Sequence, residues 1–300
     1  MTVQLKKTPV GFIAVLAALI SGCGGNEAEV TTAGASGLDA ASEVSASAGG
    51  ASAGSSAEDD DNSLVVPISA LEVAYGETED RNHVGYFAAP EQIVEPLPGI
   101  VLVHERWGLD DSMREIARNL AQEGYAVMAV DLFAGLTASD PGEAQTLTSQ
   151  VSAAREATLS NIAQAVDYLR AYALAPRVAV VGYGLGGGFA LETAVTVPEK
   201  IDAVASYYGP LLTDADSLQR LRAPFLGLYA EHDASVPMRQ IQEFRGLLRD
   251  AGNPGMVLIQ SGTSHGFADP GRPAFDAANA DIARRELTEF LAAAITPTTG

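Results

Sequence analysis

The chain has 300 residues, with 38 Asp or Glu against 18 Lys or Arg, for a formal net charge of −20. A nucleic-acid partner needs clustered Lys and Arg to neutralise phosphates, and this balance argues against one. The single cysteine, Cys23, leaves no possibility of an intramolecular disulfide. The excess of acid favours solubility and says little about fold.

In chain order, residues 1–22 read as a secretory signal: Lys6 and Lys7, the apolar stretch Gly11–Ile20, then the small residues Ser21 and Gly22. The apolar run falls short of the ~20 residues a bilayer crossing needs. Ile20-Ser21-Gly22-Cys23 resembles a bacterial lipobox. That resemblance implies cleavage before Cys23 and lipidation of its sulfur, which would anchor an exported protein to the cell envelope. Gly24, rather than Asp, then points toward the outer membrane, facing the periplasm or the cell surface. Residues 23–63 are rich in Ala, Ser, Gly and acids, without aromatics or an apolar period. Nothing there offsets the entropy of ordering, so a flexible tether is expected. The remaining stretch, 64–295, is long enough for one domain with one large core.

Within that domain residues 68–74 and 83–88 suggest two antiparallel edge strands. Ile100–His104 is a continuous apolar strand of the kind found in sheets covered on both faces. Asp110–Gln122 has Met113, Ile116, Ala117 and Leu120 at helical spacing, with acids at its start and Gly124 beyond its end. Strand Tyr125–Val130 follows, then a poorly patterned, partly helical Pro141–Ala154 and a helix over Leu159–Tyr172. After these come strand 177–182, a helix beginning at 186–187, and strands 202–208 and 224–230. Helix 238–251, strand 255–260 and a final helix near 276–293 complete the run. This alternation predicts an α/β fold with a mostly parallel sheet and helices on both faces.

The sharpest motif is Gly182-Tyr183-Gly184-Leu185-Gly186-Gly187-Gly188, straight after an apolar strand. It satisfies G-x-G-x-x-G, but the acid that a dinucleotide loop wants at the end of the next strand is replaced by Tyr207-Tyr208-Gly209. The loop also does not open the fold, so no cofactor is expected. The alternative is a strand–helix nucleophile elbow with glycine in its central place. Such an elbow predicts an acid and then a histidine on later strand ends. Asp233 follows one strand and His265 the next, in that order. Singly, Asp233 reads equally well as a helix cap and His265 as an ordinary loop histidine. No metal-ligand spacing is present.

Together with His104-Glu105-Arg106-Trp107-Gly108, Met113-Arg114-Glu115, Gly124-Tyr125, Asp131-Leu132-Phe133, Tyr207-Tyr208-Gly209, Val236-Pro237 and His265-Gly266-Phe267, these motifs resemble the dienelactone hydrolase family of α/β hydrolases, from about Val73 to Leu291. The resemblance implies an α/β-hydrolase fold and hydrolysis of carboxylic esters or lactones. It implies Asp233 as triad acid, His265 as general base, Glu105 as a carboxylate beside the nucleophile, and the N–H groups of Leu185 and Arg106 as oxyanion hole. The family's cysteine nucleophile is absent, and Gly184 stands in its place. A side-chain-sized void at the tip of the elbow is expected, able to hold a water that His265 activates. Ser206, Ser264 and Tyr183 are poorer substitutes. Arg106 is the one cation placed for an anion, although it could equally pair with Glu105. With no basic residue from Asp131 to Arg155, and Asp269 close by, an anionic lactone is a poor ligand. Two readings stay open: an impaired or water-based hydrolase, and a non-catalytic protein that binds a small apolar ligand or a partner.

Overall fold

The computed structural model describes residues 66–296. The expected signal peptide, Cys23 and the tether lie outside the described residues. Eight strands form one sheet in the order β1-β2-β4-β3-β5-β6-β7-β8. They are β1 (Ile68–Glu77), β2 (Asn82–Pro90), β3 (Gly99–Val103), β4 (Ala126–Val130), β5 (Val178–Tyr183), β6 (Ala203–Tyr207), β7 (Phe225–Ala230) and β8 (Met256–Gln260). From β4 to β8 every neighbouring pair is parallel. Strands β3 to β7 are buried along their whole length, as their unbroken apolar sequences require.

The helices are α1 (Asp111–Gln122), α2 (Pro141–Ala153), α3 (Arg155–Tyr172), α4 (Leu185–Thr196), the single turn α5 (Ala215–Leu218), α6 (Met238–Asp250) and α7 (Ala277–Ile295). The side chains of α2, α3, α4 and α6 enter the core on one sheet face. Those of α1 and α7 enter the core on the other. Besides the single turn α5, capped by Asp214, three of the helices start on aspartate caps, a choice that satisfies N–H groups the helix itself leaves open. Asp110 accepts from Met113 N, Asp140 from Gly142 N and Glu143 N, and Asp276 from Asn279 N.

Three expectations need correction. Only β1 is an edge on that side, because β2 pairs with β1 and also, antiparallel, with β4. Residues 141–153 are fully helical despite their weak pattern. Pro141 fixes the first turn, and Ala144, Leu147 and Val151 supply a narrow buried stripe. The helix after it begins at Arg155 rather than Leu159, and the elbow helix begins at Leu185.

The register is what places the site. Val103 lies opposite Gly182, Gly182 opposite Ser206, Tyr207 opposite Leu228, and Ala230 opposite Gln260. The parallel strands therefore end level, and the segments that follow β3, β5, β6, β7 and β8 all emerge at the carboxyl edge, where open α/β sheets bind ligands.

Candidate active site

Gly184 forms the turn between β5 and α4, with φ of 48° and ψ of −115°. This left-handed φ disfavours side chains and suits glycine. Its N–H donates to Tyr207 O at 2.9 Å, tying the turn to β6. The neighbouring glycines serve close approach. A Cβ on Gly182 would stand 2.2 Å from Gly186 O, and one on Gly186 would stand 2.3 Å from Val103 O. Helix α4 thereby starts in contact with the end of β3, next to Glu105 and Arg106. The N–H groups of Leu185 and Arg106 donate to no partner among the described residues. Leu185 lies at the helix N-terminus, where the first N–H groups have no intrahelical acceptor.

Asp233 and His265, 32 residues apart in sequence, come together. His265 Nδ1 lies 2.8 Å from Asp233 Oδ2, and Nε2 lies 3.2 Å from Glu105 Oε1. Asp233 also accepts from Ser235 N and Val236 N, so it orders its own turn while it orients the ring. The ring faces a carboxyl group at each nitrogen, an arrangement that favours the doubly protonated imidazolium. Burial alone would lower the His265 pKa, but the hydrogen bonds and charges of Asp233 and Glu105 prevail and raise it to about 9. Burial alone would raise the Asp233 carboxyl, yet its bonds to His265 and to backbone N–H groups hold it below the usual aspartate range.

This arrangement fills the expected void. A Cβ built on Gly184 would sit 2.5 Å from Glu105 Cγ and 3.0 Å from Glu105 Oε1. The Glu105 side chain occupies the space beyond the elbow tip, and its carboxylate takes the hydrogen bond from His265 Nε2. It is buried, with 3% of the side chain exposed, and Oε2 has no hydrogen-bond partner.

Arg106 does not pair with Glu105. Its side chain is exposed and lies over the Trp107 ring, with the guanidinium carbon 4.9 Å from the ring centroid. The cation beside Glu105 is Arg272, which the sequence reading missed: Nε is 3.9 Å from Glu105 Oε2, and its guanidinium lies over Trp107 at 4.9 Å. Arg272 is already engaged by Asp269, at 2.9 Å, and by Asp110. An arginine seven positions after His265, amid small residues and acid, was the available signal. Tyr208 was a second omission. It has φ of 42°, unusual for a large side chain, and its buried ring lies 4.8 Å from the His265 ring. Ser206 is fully buried beneath α4, while Tyr183 stacks on Tyr207 on the α1–α7 side of the sheet.

The residues 84–295 match the family model described as "Dienelactone hydrolase family". The chain belongs to the dienelactone hydrolase family. Among its relatives, a protein of Escherichia coli K12 named "Putative carboxymethylenebutenolidase" is 27% identical over 228 residues, covering 71% of this chain and 83% of that one. "Protein usf" of Aquifex pyrophilus is 30% identical over 195 residues, covering 63% of this chain and 83% of that one. Among solved structures, a dienelactone hydrolase-like promiscuous phosphotriesterase, P91, from metagenomic libraries superposes with a TM-score of 0.68. Its identity is 26%, and the match covers 76% of this chain and 98% of that one. The fold is that of the α/β hydrolases, as in the acylaminoacyl peptidase of Pyrococcus horikoshii, with a TM-score of 0.61 at 18% identity over 78% of this chain and 43% of that one.

The pH behaviour of the pair has a defined sign. The folded His265 pKa lies above its ordinary 6.5, so its contribution to stability is complete below about pH 6.5 and fades as pH rises through about 9. Asp233 works at the other end: its contribution holds above 3.8 and is lost as pH falls through its lowered value. The expected result is a Tm gap between wild type and His265→Gln that is largest at pH 5–6 and closes at pH 10. An NMR titration of the imidazole checks it directly; an inflection near 6.5 would contradict the two-carboxylate geometry.

Proposed function

We propose that this family member hydrolyses uncharged carboxylic esters or lactones slowly, by direct attack of water and without a covalent acyl-enzyme. The observation that carries this reading is the Glu105 carboxylate, lodged against Gly184 and 3.2 Å from His265 Nε2. With glycine at 184 no side chain on the elbow can attack. At neutral pH His265, with its pKa near 9, holds its proton and cannot serve as the base. The roles therefore exchange. Glu105 Oε2, which lacks a hydrogen-bond partner, takes a proton from water as the water oxygen attacks the carbonyl carbon. Charge that develops on the carbonyl oxygen meets the unpaired N–H groups of Leu185 and Arg106. As the tetrahedral intermediate collapses, His265 Nε2 gives its proton to the departing alkoxide, with Asp233 holding the ring in place. The proton taken up by Glu105 returns to His265, closing the cycle with acid and alcohol as products. Turnover is slow because Glu105 is almost wholly covered and meets water only on local opening. An uncharged substrate follows from Arg272 being matched by Asp110 and Asp269.

The burial of Glu105 favours one other reading, a site that binds without turnover. Hydrolysis of p-nitrophenyl acetate between pH 5 and 10 separates the two. The expected rate shows no burst, requires His265, and falls as pH passes about 9. Equal rates for wild type and His265→Ala would leave only the binding reading, and a rate that climbs through pH 9 would restore His265 as base.

For location, the lipobox-like Ile20-Ser21-Gly22-Cys23 supports an exported lipoprotein tethered to the envelope. Two or more acyl chains make such an anchor stable. Metabolic labelling with a clickable fatty acid is expected to mark the wild type and not Cys23→Ser, which should move from the membrane to the soluble fraction.

A further inference from the structure

A cleft of about 270 Å³ lies where three segments meet: the turn between β1 and β2, the loop after β4, and the junction of α2 and α3. Glu105, Gly184, Asp233 and His265 do not line it. Part of its apolar lining is open to a ligand: Leu136, Ala154 and Ala157 are all exposed, Leu136 at 57%. In a chain with 38 acids against 18 bases, the one charged residue that lines this cleft is a cation, Arg81. Its main chain is tied to Thr78, but its side chain has no ion pair or hydrogen bond among the described residues. Glu79, Asp80 and Glu156 lie on the same segments without lining the cleft.

The same cleft is lined by a buried donor whose hydrogen nothing accepts. His83 is 5% exposed. Tyr75 OH donates to Asn161 Oδ1 at 2.5 Å, which leaves the amide nitrogen facing His83 Nδ1 at 3.0 Å and Asp131 O at 3.5 Å. An amide nitrogen donates, so Nδ1 accepts and the neutral ring carries its hydrogen on Nε2. Burial, and then the charge of Arg81, hold this imidazole below its ordinary 6.5 against the pull of Asp131, so the ring is neutral at pH 7. Nε2 is covered and has no hydrogen-bond partner. A buried donor left unmet is costly, and an acceptor that enters from the cleft removes the cost.

We propose that this cleft binds a small monocarboxylate with an aliphatic body, its acid group held by Arg81 and His83 and its chain laid against Leu136, Ala154 and Ala157. The exposed guanidinium of Arg81 takes one carboxylate oxygen. Seating the acid draws the Arg81 side chain off the ring and opens Nε2 to the second oxygen. The three exposed apolar residues give the chain a surface that water leaves on binding. An amine of the same shape meets like charge at Arg81 and brings no acceptor for the His83 hydrogen once it is protonated. An alcohol keeps the apolar contact and loses the charge. The claim does not depend on the hydrolytic reading, since no residue of the elbow takes part.

The test titrates three probes of one shape, hexanoate, hexan-1-ol and hexylamine, into the intact protein and follows them by NMR. Hexanoate is expected to bind best, then hexan-1-ol, with hexylamine weakest. Arg81→Gln should weaken hexanoate about three- to fivefold and leave hexan-1-ol unchanged, in keeping with one exposed charge pair. Ala157→Phe, an exposed position on α3 that fills the cleft, should abolish binding of all three with the circular dichroism of the fold intact. The His83 Nε2 hydrogen should shift downfield with hexanoate in the wild type and stay still in Ala157→Phe. Equal affinity for hexanoate and hexylamine, or hexanoate binding untouched by both substitutions, would overturn the proposal. So would a hexanoate response at the His265 imidazole with His83 unmoved, which would put the acid in the elbow site instead. The Arg81→Gln arm decides the matter even if Ala157→Phe fails to fold.

Discussion

Glu105→Gln is expected to lower the ester hydrolysis rate about 10²–10⁴-fold, the usual range for loss of a positioned acid–base group. The amide cannot take a proton from water, so the step assigned to Oε2 disappears while the shape of the site is kept. The same change removes one of the two charges that raise His265, whose pKa should fall from about 9 toward its ordinary 6.5. The remaining rate should then follow a neutral imidazole and rise with pH, the reverse of the wild-type profile. This inversion separates a chemical role from a structural one, because a merely loosened site would lose rate without changing the direction of its pH dependence. An unchanged profile in Glu105→Gln would remove Glu105 from the mechanism.

The second large effect concerns folding. Gly182→Ala and Gly186→Ala should each cost about 3 kcal/mol or more, since the new methyl meets main chain rather than a movable side chain. On Gly186 it would lie 2.3 Å from Val103 O and 2.5 Å from His104 O, and on Gly182 it would lie 2.2 Å from Gly186 O. Gly182→Ala forces α4 away from β5, and Gly186→Ala forces it away from the end of β3. For a domain of this size, 1 kcal/mol corresponds to about 2–4 °C, so Tm should fall by about 6–12 °C or the protein should fail to accumulate. Gly184→Ala provides the contrast. Its obstacles are a positive φ and the Glu105 side chain rather than main chain, so about 1–2 kcal/mol is expected. Thermal melts of the three variants test the ranking. Comparable losses at all three positions would mean that the elbow is not held by main-chain contact.

Much of the fold is legible in the chain because its signals are local. The uninterrupted apolar runs of β3 and β5 announce buried parallel strands, and Asp110 and Gly124 bracket α1. Where the local signal is weak, the reading blurs. Residues 141–153 bury only a narrow stripe, so their helix is a property of the surface they cover more than of their own pattern. The second of the two N-terminal strands cannot be placed from sequence, because pairing with β4 is a choice made between residues far apart in the chain, such as Phe87 and Met128.

The candidate site divides in the same way. Asp233, His265 and Gly184 are identifiable from residue type, order and position after strands, and Glu105 from the family resemblance. Their pairing follows from the level ends of the parallel strands, which the alternating pattern already implies. The state of the site does not follow. Glycine at 184 suggests an empty place, and only the packed structure puts Glu105 in it, since which side chain fills a gap depends on rotamer and neighbours far apart in sequence. The neighbouring cation is likewise a tertiary choice: Arg106 stacks on Trp107 and faces outward, while Arg272, 167 positions from Glu105, supplies the charge beside it. The sequence by itself determined the architecture, the family resemblance and the glycine at position 184, because these rest on period, order and residue identity. The tertiary structure alone decided the two carboxyl partners of His265 and the occupant of the elbow, because both depend on distances of about 3 Å between groups that no local pattern relates.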